Sequence, residues 1–127
     1  MIDFSTLERP ASPNTYLVCT PELCRAARAD EPAPVFAVPL ETVRLALKDI
    51  APTIAFTPCA QGLCGSFVAQ TRLLRFKDDV DVLLAPTASG GTQVAIYSRS
   101  RVGYSDLGAN RKRVQALLAK LRAKLAA

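Results

Sequence analysis

Downstream of Pro52 the chain passes through four strand-like segments joined by connections of only a few residues. A parallel neighbour needs a crossover of about a dozen residues or more, so consecutive strands joined this tightly must pair antiparallel. The segments are Thr53–Thr57, Gly65–Phe76, Asp79–Leu84 and Thr92–Ser98. In the first, Ile54 and Phe56 share a face. The second alternates imperfectly, which suggests a bulge or burial on both sides. In the third, Val80, Val82 and Leu84 point inward and the two aspartates outward, and in the fourth Val94 and Ile96 point inward while Tyr97 faces the other way. Lys77-Asp78 reads as a tight turn, and Ser89-Gly90-Gly91 supplies the positive-φ positions of a hairpin loop.

Two helices frame this block. Leu40–Ile50 carries Val43, Ala46, Leu47 and Ile50 on one stripe before Pro52 stops it. From about Ala109, Val114, Leu117, Leu118, Leu121 and Leu125 form a second stripe. Pro34–Val38 reads as a short first strand. The order is β-α-β-β-β-β-α, an α+β fold: a twisted antiparallel sheet of about five strands with both helices on one face. Residues 1–34 form a proline-rich, irregular lead-in packed on the 35–127 domain, broken by Pro10, Pro13, Pro21, Pro32 and Pro34. Within it Tyr16–Cys19 covers the core or adds an edge strand. At 127 residues the chain fits one domain and buries roughly two thirds of its unfolded surface.

The chain has no histidine. That removes the Ser-His-Asp triad, the Cys-His pair and imidazole metal ligation. The net charge of +5 is also less general than it looks. Residues 109–127 carry six basic side chains and no acid, and the remainder balances at −1. This is a near-neutral domain ending in a basic helix, which either attracts an anionic partner or is a solvated helix face. No apolar run reaches the roughly 18 residues of a membrane span. As the chain stands the expectation is cytoplasmic, changing to periplasmic or membrane-tethered if an N-terminal segment has been removed.

Cys19 and Cys24, and likewise Cys59 and Cys64, have four residues between them. Three readings stay open: disulfides, free thiols, or one zinc site using all four. A local bridge between Cys59 and Cys64 is geometrically easy at a hairpin loop. The wide spacing disfavours zinc, whose knuckles prefer ligands from one tight turn. No cofactor is expected.

The densest polar chemistry joins the last strand to the last helix. Ser98, Arg99, Ser100, Arg101, Tyr104, Ser105, Asp106, Asn110 and Arg111 converge on a helix start, with Asp106 or Asn110 placed to cap it. Arg72 and Arg75 lie on the long strand before them. Free amides at a helix start together with arginine forks make an anion site. In the opposing reading Arg72 or Arg99 pairs with Asp79, Asp81 or Asp106 across neighbouring strands.

These residues also carry a resemblance. Thr71-Arg72 through Arg75-Phe76 to Asp78, then Ser98 to Arg113, with Pro13-Asn14 upstream, resemble the domain-of-unknown-function 1499 family, an uncharacterised bacterial family. Its shared elements read TR-x-x-RF-x-D and SRSR-x-G-x-SDLG-x-NR-x-R. Lys77 stands where the family pattern has proline, a departure that touches a turn. The resemblance covers most of the chain from about residue 10 and implies no activity. It does imply relatives that are membrane-tethered or exported, with an apolar N-terminal segment.

The function expected from these readings is a non-enzymatic module that binds an anionic ligand, lipid headgroup or acidic partner through the arginine-rich segment. The alternative is a structural or self-associating domain in which that segment forms internal ion pairs. Its homo-oligomer would use an open sheet edge, or a sparsely covered face bearing Ala95 and Tyr97. Nucleic acid is disfavoured because the basic helix lacks interleaved aromatics.

Overall fold

The computed structural model describes residues 2–70, 76–103 and 106–126. Among them a six-stranded antiparallel sheet carries two helices. The strands are β1 (Thr15–Val18), β2 (Val35–Phe36), β3 (Ala55–Cys59), β4 (Gly62–Gln70), β5 (Lys77–Pro86) and β6 (Thr92–Ser100); the helices are α1 (Leu40–Ile50) and α2 (Ala109–Leu125). The sheet order is β1-β6-β5-β4-β3, and β2 pairs with the other end of β6. The α+β class and the antiparallel chain of neighbours follow the sequence expectation, with six strands in place of about five.

The added strand is β1, taken from the proline-rich lead-in. Thr15 to Val18 pair with Arg99 to Ile96, and Leu17 and Val18 are fully buried. The expected Pro34–Val38 strand shortens to two residues. β3 starts two residues later than expected and includes Pro58, which an edge strand tolerates because its outer side needs no N–H donor. β4 begins at Gly62, where the hairpin turn requires glycine: φ is 149° and a Cβ would lie 2.2 Å from the Leu84 carbonyl oxygen. The expected Lys77-Asp78 turn is instead the start of β5, where Asp78 pairs with Ala69 and Ser100. Further along, the Thr87–Gly91 loop closes as expected, with the Thr87 amide donating to the Gly91 carbonyl at 2.9 Å.

Both helices lie on one face. Ser98 reaches Asn110 of α2 from that face, so the alternating residues Val80, Val82, Leu84, Val94 and Ile96 form its floor. Val43 and Leu47 of α1 and Val114, Leu118 and Leu121 of α2 close the core above them. Lys124 and Asp49 form an ion pair between the two helices.

The second face is not bare. The segment 2–14 crosses it as a strap, burying Phe4 and Leu7 in the same apolar cluster as Leu17, Leu83 and Tyr97. Ala95 and Tyr97, expected on a sparsely covered face, are 0% and 2% exposed. Asp81, expected to point into solvent, is buried for the same reason: the strap lies over it, and the Ile2 amide donates to its carboxylate at 3.4 Å. Burying a sheet on both faces requires apolar cover from somewhere, and here the irregular lead-in supplies it.

The cysteines form two disulfides, Cys19–Cys24 and Cys59–Cys64. This consumes all four thiols and removes the zinc alternative, because a cystine has no thiolate to offer a metal. Cys59–Cys64 links β3 to β4 beside their hairpin, and Cys19–Cys24 closes the loop after β1. Among the described residues no group of three or more His, Cys, Asp or Glu is arranged to hold a metal ion. Among them, too, no helix is long and apolar enough to cross a membrane.

Candidate functional site

The end of β6 presents arginines on one face of the sheet and serines on the other, because side chains alternate along a strand. Arg99 and Arg101 point to the strap side, where the odd residues of β5 place Asp79 and Asp81. Arg99 lies opposite Asp79 in register, yet its guanidinium reaches diagonally to Asp81, 2.8 Å away. Arg101 makes the next diagonal, a forked contact with both oxygens of Asp79 at 2.9 and 2.8 Å. The result is a two-rung arginine–aspartate ladder across two central strands. Arg99 also lies over the Tyr97 ring, 5.1 Å from its centroid, a cation–π contact.

Electrostatics follow from this pairing. The hydrogen bonds from Arg101 hold the Asp79 carboxyl below its ordinary pKa, and Asp79 in turn raises that of Arg101. Burial pushes the Tyr97 hydroxyl upward, opposed by the nearby Arg99 and Arg9 charges.

On the helix side the serines enter a buried polar network centred on Asn110, which is 0% exposed. Ser98 Oγ donates to Asn110 Oδ1 at 2.5 Å. The Asn110 amide nitrogen donates to the Asn14 carbonyl, Ser100 Oγ and Asp106 Oδ2 at 3.0, 3.0 and 2.6 Å. Arg113, one helical turn further on, donates to Asn110 Oδ1 and Ser98 Oγ. It also stands 2.8 Å from the carboxylate of Asp78, which is 1% exposed. Strap, strand and helix thus meet at one asparagine.

Asp106 performs the expected capping role, although Gly108 is the residue at the helix boundary. Its side chain accepts from the amides of Gly108 at 2.8 Å and Asn110 at 3.1 Å, satisfying donors that a helix start leaves free. Arg111 is exposed on α2 and joins neither the ladder nor the network. Arg72, Arg75, Tyr104 and Ser105 lie outside the described residues. Ser98, Arg99, Ser100, Arg101, Asp106 and Asn110 therefore gather around the end of β6, but on two faces and not in one pocket. The sequence reading left out two members, Arg113 and Asn14. The three-residue step from Asn110 to Arg113 was the available signal, since it puts both on one side of α2. The signal for Asn14 was its place in the Pro13-Asn14 element of the resemblance, and the β1–β6 pairing brings it to the network.

Two shallow grooves flank the ladder. One of about 480 Å³ is bordered by Ser66, Val68, Asp79, Asp81 and Arg99. Another of about 430 Å³ lies between the strap and Tyr97, Arg99 and Ser100. In the first groove Ser66 lies opposite Asp81 in the β4–β5 register, and the Asp81 carboxylate is engaged by Arg99.

Fold and site define a small disulfide-bonded α+β domain in which the described polar residues around the end of β6 mostly bond to one another. The chain belongs to the family described as "Protein of unknown function (DUF1499)", whose profile matches residues 26–121. A comparison with curated proteins found no match. Among solved structures, the chain aligns with the crystal structure of TTHA0849 from Thermus thermophilus at 15% identity and a TM-score of 0.34, covering 73% of this chain and 93% of that one.

Proposed function

We propose that this protein is a non-enzymatic interaction domain in which the arginine-rich segment is an internal clamp and not a ligand site. The observation that carries this reading is the pairing of Arg99, Arg101 and Arg113 with Asp81, Asp79 and Asp78. An incoming anion would have to displace a carboxylate from each guanidinium. The segment instead joins the sheet's two central strands, α2 and the strap, and so holds the surfaces around it in fixed relation.

The Arg101–Asp79 pair provides the test. Both side chains are substantially exposed, so Arg101→Ala is expected to lower the melting temperature only slightly at neutral pH. Asp79 titrates below its ordinary value of 3.8 when folded. Its contribution is therefore present above that unfolded value and is lost as pH falls through the lower folded one. The difference between wild type and Arg101→Ala should close on strong acidification. Inorganic phosphate titrated to millimolar levels should protect neither protein. Phosphate protection of the wild type that Arg99→Ala removes, with no loss of intrinsic stability, would return the arginines to a ligand site.

The two disulfides support a second part of the reading: the domain works in an oxidising compartment. Each closes a loop with a sequence separation of 5, for which chain entropy gives about 2 kcal/mol per bridge. Dithiothreitol should shift urea unfolding to lower concentration by a corresponding amount. Protein from its native host, alkylated under denaturing conditions without reductant, should show no free thiol. Four alkylated cysteines would place it in a reducing compartment.

A further inference from the structure

Three of the large apolar side chains exposed among the described residues gather at one end of the molecule. β5 and β6 run antiparallel with Asp78 opposite Ser100, and the Arg101 amide donates to the Lys77 carbonyl at 3.3 Å. One residue further out, Phe76 and Val102 flank the mouth of this strand pair, 45% and 53% exposed. Leu107 belongs to the same end, because its neighbour Asp106 is tied to Ser100 through the Asn110 amide.

Leu107 is 91% exposed and has φ of 53°, the left-handed conformation that disfavours a side chain and suits glycine. Asp106 holds it there, its side chain accepting from Gly108 and its carbonyl from Ala109. An apolar side chain is thus held out to water on an unfavourable backbone. Strain combined with apolar exposure marks a contact surface.

The charge around this end selects the partner. Lys77, Arg111 and Lys112 are exposed and take part in none of the ion pairs among the described residues. The acids nearby already have partners: Asp78 with Arg113, Asp79 with Arg101, and Asp106 with the start of α2. What faces outward is an apolar tip among cations.

We propose that this tip docks on an anionic lipid surface. Leu107, Val102 and Phe76 enter the boundary between headgroups and acyl chains, and Lys77, Arg111 and Lys112 meet the headgroups. Leu107 projects as a single side chain, which a fluid lipid surface accommodates without a matching cavity. The inference rests on the clamp reading above, since engagement of the inner arginines leaves these outer cations to meet lipid.

The test is flotation of the full chain with vesicles. Phosphatidylcholine vesicles containing phosphatidylglycerol should carry the protein at low salt, and pure phosphatidylcholine vesicles should not. Raising the salt should weaken binding, because exposed charges are screened. Leu107→Gly is the decisive variant: glycine relieves the backbone, so the melting temperature should hold or rise while vesicle binding falls by about tenfold or more. Arg111→Glu with Lys112→Glu should abolish the preference for anionic vesicles. Absence of flotation with anionic vesicles at low salt overturns the proposal, as does undiminished flotation of Leu107→Gly. A lipid-free dimer that Leu107→Gly dissociates would also overturn it, in favour of a second copy of the chain. The clamp reading is tested separately by stability and phosphate titration, so the two can fail independently.

Discussion

Arg113→Ala is expected to destabilise the protein by about 3–5 kcal/mol, the usual cost of leaving a buried charge without its partner. The Asp78 carboxylate is 1% exposed, and the Arg113 side chain 18%. Asp78 sits in the ladder between β4 and β6, where backbone pairing on both sides limits its movement. Water therefore cannot readily replace the guanidinium. Urea unfolding followed by circular dichroism should show a lower midpoint with an unchanged slope. Asp78→Asn added to the Arg113→Ala protein should recover part of the loss, because a neutral amide is less costly to bury unpaired than a carboxylate. The double-mutant cycle then isolates the coupling between the two side chains. A change within about 0.5 kcal/mol for Arg113→Ala alone, the range of ordinary surface substitutions, would show that the pair is not a clamp.

Asn110→Ala is expected to cost about 3 kcal/mol, through several weakened contacts and not one charge. Asn110 bonds the strap at Asn14, the strand at Ser98 and Ser100, and the helix start at Asp106. Its loss leaves buried acceptors without their donor. Asn110→Asp should be at least as damaging. The Asn110 amide nitrogen now donates to Asp106 Oδ2 and the Asn14 carbonyl, so a carboxylate would set oxygen against oxygen at both. Because the Asn14 contact anchors the strap, hydrogen exchange should rise in segment 2–14 before it rises in the core strands. Strap amides that stay as protected as the wild type's would show that the strap is held by Phe4 and Leu7 alone.

Much of the fold was legible in the sequence because local signals coincided. Leu40–Ile50 and the stripe from Val114 to Leu125 have helical periodicity, and both became helices. The Gly90-Gly91 loop and the alternation around Val80–Leu84 marked a hairpin, and it formed there. Lys77-Asp78 misled because two polar residues after a long strand look like a turn. An aspartate can be a buried strand residue only if a cation arrives from elsewhere, and Arg113 comes from a helix more than thirty residues later. The proline-rich lead-in misled for a related reason. Proline blocks regular structure locally, yet an irregular strap can still cover a sheet face when Phe4 and Leu7 anchor it.

The candidate site shows the same division. Nearly every residue of the Arg-Ser alternation from Ser98 to Arg101 was identifiable, and so were Asp79 and Asp81 as competing partners. Alternation in a strand also implies that arginines and serines face opposite ways, which the convergent anion site passed over. Which face is covered, and by what, is a long-range matter. Asp81 is buried only because residues near the N-terminus lie across it.

By itself, then, the sequence determined the order and kind of the elements, the antiparallel neighbours and the absence of imidazole chemistry, because each depends on residue type, spacing or loop length. Only the tertiary structure decided what the polar residues do. A guanidinium is equally suited to a ligand's anion or an aspartate's, and the outcome depends on which charge the packed chain brings within hydrogen-bond reach. Here register brings Asp79 and Asp81 to Arg101 and Arg99, and helix packing brings Asp78 to Arg113. Lys77, Arg111 and Lys112, exposed at the same end, are among the cations that take part in none of the ion pairs among the described residues.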